Sequence, residues 1–208
     1  MHEKEIIIDG IPLEEAKNVL IMLHGRGSSA NDILGIADHL DLDNFAIMAP
    51  QATHSTWYPK SFMAPVQENE PWLSSALTNL KEIEEELIRQ GFTSENIFFF
   101  GFSQGACLTL EYITRNAKKY GGAVAIIGGL IGNKIAPKNY TTSFEGTKIF
   151  IGTSNPDVHV PLERVEETVK ILREKDAEVR LEIYNGFGHG INQEEIKIAK
   201  EILAPQAP

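Results

Sequence analysis

Residues 97–113 read IFFFGFSQGACLTLEYI. The first part, Ile97 to Phe100, is a continuous apolar and aromatic run suited to a buried strand. The part after Ser103 is apolar with helical spacing. A polar serine therefore stands at the apex between two buried elements, with Gly101 two residues before it and Gly105 two after. A strand that turns at once into a helix forces its apex residue into a strained backbone conformation and brings the two elements so close that side chains two positions away would collide. Glycine at both positions removes those collisions and leaves the Ser103 hydroxyl held out at the sheet end, where the helix N-terminus favours negative charge. The bare G-x-S-x-G pattern is weak, arising by chance in about one chain in fifteen of this length. A strand directly before it and a helix directly after it make the reading specific. The alternative is a tight strand–helix turn without chemistry.

Working outward, short apolar runs alternate with helical patterns. Strands are expected at EIIID (5–9), Val19–Leu23, Phe45–Ala49, Ile97–Phe100, Ala123–Ile127, Lys148–Gly152 and Val179–Tyr184. Most are apolar throughout, as strands covered on both faces require, whereas the last alternates and has one wet face. Helices are expected over 31–40, 74–91, 162–176 and 192–203, besides the one after Ser103. In the 74–91 segment Leu77, Leu80, Ile83, Leu87 and Ile88 form the apolar stripe, Ser74 or Ser75 is the expected N-cap, Gly91 the C-cap glycine, and Glu84–Glu86 the solvated face. This alternation predicts an α/β fold: a mostly parallel central sheet with helices on both faces, in one domain spanning 1–208. Ligands of such sheets bind beyond the carboxyl ends of the strands.

Bulk properties narrow the function. The 208 residues are 42% apolar and 23% charged, ordinary for a globular chain. A net charge of −10 argues against nucleic acid and anionic membrane surfaces. No apolar run is long enough to span a bilayer. One cysteine, Cys107, excludes an intrachain disulfide framework and is expected to be a core residue; with an acidic, polar N-terminus the expectation is a reducing cytoplasm.

A serine hydroxyl needs a base, and the base an orienting acid. On this type of fold both follow the nucleophile in the chain. Of six histidines only His159 and His189 follow Ser103. His189 lies in YNGFGHGI, a glycine-rich loop between a strand and a helix. His159 lies in GTSNPDVHVP, two residues from Asp157, too near to face it readily across a site. The economical assignment is Asp157 as orienter and His189 as base, with His159 the competing base. His2 and His54 read as surface residues, and His39 as lying near a helix end. The turn HGRG (24–27) after an early strand offers a second oxyanion donor, the Arg26 backbone N–H, beside that of Gln104. His24 reads as a histidine holding that loop; the turn lacks the G-K-[ST] of a phosphate-binding loop.

LHGRG, GFSQGA, DVHVP and GFGHGI, in this order, resemble the phospholipase/carboxylesterase branch of the α/β-hydrolases, which includes small carboxylesterases and the acyl-protein thioesterases. The resemblance runs from Val19 to about Leu203 and implies a nucleophile at Ser103, an acid at Asp157 four residues before Pro161, a base at His189 and an oxyanion donor at Arg26. Two departures stand out: many relatives carry leucine where this chain has Arg26, and GTSNPD is longer than the usual spacing, with Asn155 nearer the customary acid position. The resemblance implies a serine carboxylesterase acting on small to medium esters, with a lysophospholipase or acyl-thioester hydrolase as the alternative and a non-catalytic ligand-binding hydrolase fold as a third. It implies no metal or organic cofactor, a small-molecule ester as substrate, and dimerisation as a family habit. The segment Pro50–Leu77, with Trp57, Tyr58, Phe62, Met63 and Trp72, is expected either to bind substrate or to be a hydrophobic cluster pinning the loop. GGLIGNKIAP (128–137) is a second candidate for an apolar wall.

Overall fold

A computed structural model describes residues 1–204. Seven strands form one sheet: β1 (Ile6–Gly10), β2 (Asn18–Leu23), β3 (Phe45–Pro50), β4 (Ile97–Phe102), β5 (Gly122–Ile126), β6 (Lys148–Asn155) and β7 (Glu178–Asn185). Their spatial order is β1-β3-β2-β4-β5-β6-β7, parallel throughout except that β1 runs antiparallel to β3. Every residue of β2 and β3 is buried, which requires cover on both faces. The edge strand β7 alternates, as its sequence predicts. Among the described residues five α-helices supply the cover: α1 (Ala30–Ala37), α2 (Trp72–Arg89), α3 (Gln104–Arg115), α4 (Leu162–Glu174) and α5 (Gln193–Leu203). No helix among the described residues is long and apolar enough to cross a membrane.

Three expectations for α2 are corrected. It starts at Trp72 after Pro71, without a side-chain cap; the Ser74 hydroxyl instead donates to Glu70 (2.8 Å), one turn back. Its C-terminus does close on Gly91 (φ +100°), with the Gly91 N–H on Ile88 O and the Phe92 N–H on Leu87 O, the paired bonds that satisfy the last carbonyls. The second correction concerns Glu84, which is not on the wet face. It is 4% exposed and accepts from Tyr112 Oη (2.6 Å), Tyr120 Oη (3.2 Å) and Lys118 Nζ (2.6 Å). These donors offset the cost of burying a carboxylate. Ile88, placed in the apolar stripe, is exposed.

His2 is also corrected from surface to interior. Its Nε2 lies 2.9 Å from Trp57 O, its Nδ1 accepts from the Thr53 N–H, and its ring packs between Trp57 and Trp72. The N-terminus is thereby tied to the loop after β3, the first wall of the site.

Candidate active site

The elbow between β4 and α3 has the strain its sequence demands. Ser103 has φ 54° and ψ −116°, a left-handed backbone for a non-glycine residue. A Cβ on Gly101 would lie 2.5 Å from the Gly105 carbonyl oxygen, and one on Gly105 would overlap the Leu23 carbonyl. The Ser103 N–H is anchored on Ile126 O of the neighbouring strand (2.9 Å).

Three side chains from distant loops meet here. Ser103 Oγ lies 2.8 Å from His189 Nε2, and His189 Nδ1 lies 2.8 Å from Asp157 Oδ2. The Asp157 side chain is fully buried and that of His189 is 24% exposed. Asp157 Oδ1 accepts from the His159 and Val160 N–H groups, both at 2.8 Å. Burial pushes the Asp157 pKa up, but those N–H donors and His189 outweigh it and leave the carboxyl below its usual value. An ionised Asp157 only accepts, so the proton of neutral His189 sits on Nδ1 and Nε2 is free to take one from Ser103.

Strand β6 runs on to Asn155, so Asp157 comes two residues beyond the strand end and Asn155 stays exposed outside the constellation. His159 is not the residue on Ser103; its ring meets the His189 ring edge-on at 5.0 Å. Asp157 holds the His159 backbone rather than its imidazole.

Beside Ser103, neither the Arg26 nor the Gln104 backbone N–H is spent on a backbone carbonyl among the described residues. His24 is wholly buried and holds the loop before Arg26: its Nδ1 lies 2.7 Å from Gly25 O and its Nε2 accepts from the Ala52 N–H at 3.1 Å. Burial holds its pKa below the usual imidazole value, against the opposing Gly25 carbonyl.

A profile of the phospholipase/carboxylesterase family matches residues 4–206. The chain belongs to that family. A solved phospholipase/carboxylesterase from Dyadobacter fermentans is 51% identical over 97% of each chain, with a TM-score of 0.95. The probable carboxylesterase SOBER1-like of Arabidopsis thaliana is 28% identical, covering 90% of this chain and 78% of its own. Acyl-protein thioesterase 1 of Kluyveromyces lactis is 23% identical over 92% of each.

In this member of the phospholipase/carboxylesterase family an open cleft of about 510 Å³ lies over Ser103, within the range of small-molecule sites. Arg26, Tyr58 to Phe62, Gln104, Cys107, His159, Val160 and His189 line it. Of the five aromatic and apolar candidates, Tyr58 and Phe62 reach the cleft. Trp57, Met63 and Trp72 do not: Trp57 is buried with its Nε1 donating to His24 O (2.9 Å), Trp72 packs on His2 and His54, and Met63 packs against the core. For those three the loop-pinning alternative describes the contacts. The 128–137 segment supports Phe62 from behind, through the Gly132 N–H on Phe62 O (2.7 Å) and Arg164, which bonds the Leu130 and Gly132 carbonyls and lies over the Phe62 ring. Cys107 is buried, and burial pushes its thiol up to about 12, so it is inert. Among the described residues no group of three or more His, Cys, Asp or Glu is placed to hold a metal ion.

Three side chains at the site do work that no sequence pattern announced. The Gln104 side chain is buried and locks the cleft wall, accepting from the Trp57 N–H (2.9 Å) and donating to Tyr58 O (2.8 Å). Asn69 bonds the Lys60 N–H and Ser61 O. Ser154, at the end of β6, donates to Tyr184 O and accepts from the Gly188 N–H (2.9 Å), fixing the loop that carries His189.

Proposed function

We propose that this protein is a serine carboxylesterase that hydrolyses small to medium carboxylic esters through an acyl-enzyme. The observation that carries the reading is the unbroken pair of 2.8 Å contacts from Ser103 Oγ through His189 to the buried Asp157. A non-catalytic member of the fold has no need to keep all three groups aligned at a strained serine.

In this reading Ser103 Oγ attacks the ester carbonyl carbon while His189 Nε2 takes its proton. The carbonyl oxygen becomes an oxyanion facing the Arg26 and Gln104 N–H groups, each such donor worth roughly 3 kcal/mol in the transition state. The C–O bond to the alcohol then breaks, and His189 returns the proton to the leaving oxygen. Water attacks the acyl-enzyme by the same route, with His189 again accepting the proton; the acid departs and Ser103 is regenerated. Asp157 keeps the imidazole oriented and stabilises its charged form. The steps require no cofactor.

Thioester hydrolysis is a second reading, supported by the name of the yeast relative and using the same machinery. The reducing interior that Cys107 suits is the compartment we assign. The deciding assay is hydrolysis of p-nitrophenyl esters from acetate to laurate against a Ser103→Ala blank. Activity peaking at short chains, with kcat reduced about 10⁶-fold in the variant, is expected. Activity that survives in Ser103→Ala would overturn the nucleophile, and a peak at long chains would move the reading to lipid or thioester substrates.

A further inference from the structure

The cleft carries positive charge that the triad does not use. Arg26 and Lys60 both line it and no Asp or Glu does; of the carboxylates behind it, the Asp157 side chain is wholly buried and committed to His189, and Glu111 is buried and paired with Arg115. This happens in a chain of net charge −10. Neither Arg26 nor Lys60 pairs with a carboxylate among the described residues.

Arg26 is not a free surface cation. Its Nη1 donates to Thr56 Oγ1 (2.9 Å) and Pro59 O (3.1 Å), and its Nη2 to Lys60 O (2.6 Å), with the guanidinium 5.8 Å from the Tyr58 ring centroid. These partners are neutral, so they fix the charge without cancelling it, and part of the donor fork stays uncommitted. The segment it binds is held independently by Gln104 and Asn69, so the cation is set in place before any ligand arrives. The buried Tyr58 hydroxyl has only the Cys107 thiol, a weak hydrogen-bonding group, beside it. A cleft for purely hydrocarbon acyl groups needs no uncancelled fixed cation.

Resting on the serine esterase reading, we propose that Arg26, assisted by Lys60, selects esters whose acyl portion carries a carboxylate: half-esters of short dicarboxylic acids. In that reaction the leaving oxygen must face His189 Nε2, which gives it the proton. The acyl substituent takes the other side, along the Tyr58–Phe62 wall that hangs from Arg26 and Gln104. A guanidinium fork there meets a carboxylate with charge-assisted bonds.

The test compares mono-p-nitrophenyl adipate with p-nitrophenyl hexanoate, which match in length and differ in the terminal charge, each corrected with a Ser103→Ala blank. The expected kcat/KM ratio, adipate over hexanoate, is about tenfold in favour of the anion, falling towards unity as sodium chloride is raised. Arg26→Gln should lower that ratio about tenfold, Lys60→Gln less, and Arg26→Lys should restore part of it. A wild-type ratio at or below unity with both esters hydrolysed overturns this inference alone, as does a ratio unmoved by both Arg26→Gln and salt. Should Arg26→Gln disturb the loop and lose both activities, the salt dependence of the intact protein and Lys60→Gln decide. Failure of the wild type on both esters overturns the esterase reading, and this inference with it.

Discussion

Replacing Asp157 with asparagine probes the proposed site most sharply, because the two faces of that carboxylate are held differently. Oδ1 receives two backbone N–H groups, and Oδ2 receives His189 Nδ1. In Asp157→Asn the side-chain oxygen must stay with the two backbone donors. Turning the amide over would set its NH₂ against both, losing two hydrogen bonds worth about 1 kcal/mol each and leaving buried donors unmatched. At a total of about 2–3 kcal/mol, fewer than roughly one molecule in thirty is turned. The NH₂ therefore faces His189 Nδ1, which must become an acceptor, and the ring proton moves to Nε2. In that tautomer His189 cannot take the Ser103 proton. We expect kcat/KM on a short p-nitrophenyl ester to fall about 10⁴-fold. Because the two backbone bonds survive, the melting temperature should move by only a few degrees. The control is Asn155→Ala, at the customary acid position but exposed outside the constellation, which should leave activity within about twofold. Activity of Asp157→Asn within tenfold of wild type would refute the orienting role. A large loss in Asn155→Ala would show that the acid had been misassigned.

Other outcomes follow from single contacts. Gly105→Ala sets a Cβ into the Leu23 carbonyl, and overpacking of about 3 kcal/mol should lower the melting temperature by ~10 °C; an unchanged melting curve would contradict the close approach. Ser154→Ala removes the acceptor of the Gly188 N–H, so kcat should drop about tenfold with little change in thermal stability; equal losses in both would make Ser154 a purely structural residue. Glu195, 1% exposed, has its carboxyl raised from 4.5 to about 7, chiefly by burial and further by Glu194, against the Asn192 N–H that bonds it. A folded-state value above the unfolded one favours folding below about pH 4.5 and costs stability as pH climbs through 7, by at most about 3 kcal/mol. Glu195→Gln keeps the capping bond to Asn192 and cannot ionise. Its urea midpoint should exceed that of wild type at pH 8 and approach it near pH 5; identical midpoints at both would refute the assignment.

What the sequence disclosed was whatever a local pattern dictates. The five inner strands were readable because burial on both faces leaves a continuous apolar signature, and the edge strand β7 because one wet face leaves an alternating one. The elbow was readable because the backbone there leaves no room for a Cβ at Gly101 or Gly105. Ser103, His189 and Asp157, each in a turn or loop that follows a strand, are brought within hydrogen-bond reach in series. The misreadings share a different cause. Glu84 looked solvated because three consecutive glutamates usually are; its partners Tyr112, Lys118 and Tyr120 lie 28 to 36 residues away. His2 looked like a free terminus because its cage, Trp57 and Trp72, is more than 50 residues off. Trp57 and Tyr58 are adjacent and chemically alike, yet one faces the core beneath His24 and the other the cleft. Nothing in their spacing decides which, since the loop has no helical or strand period.

What decides it is the pair of residues proposed for the oxyanion hole. Gln104 offers its backbone N–H beside Ser103 while its side chain holds the Trp57 N–H and the Tyr58 carbonyl. Arg26, whose backbone N–H is proposed as the second donor, holds Thr56, Pro59 and Lys60 with its guanidinium. In the proposed mechanism the backbone of each faces the reacting carbonyl, while the side chain of each holds the cleft wall proposed to meet the acyl group. The irregular stretch from Thr56 to Lys60 is thereby fixed relative to Ser103 by the side-chain hydrogen bonds of just two residues. Chemistry and selectivity are then not separable by position along the chain. Leucine at position 26 would retain the backbone donor yet lose the three bonds that hold Thr56 to Lys60. A leucine-bearing relative must therefore hold its cleft wall by other contacts, and the same proposed catalytic geometry can stand beside a differently shaped and differently charged acyl site.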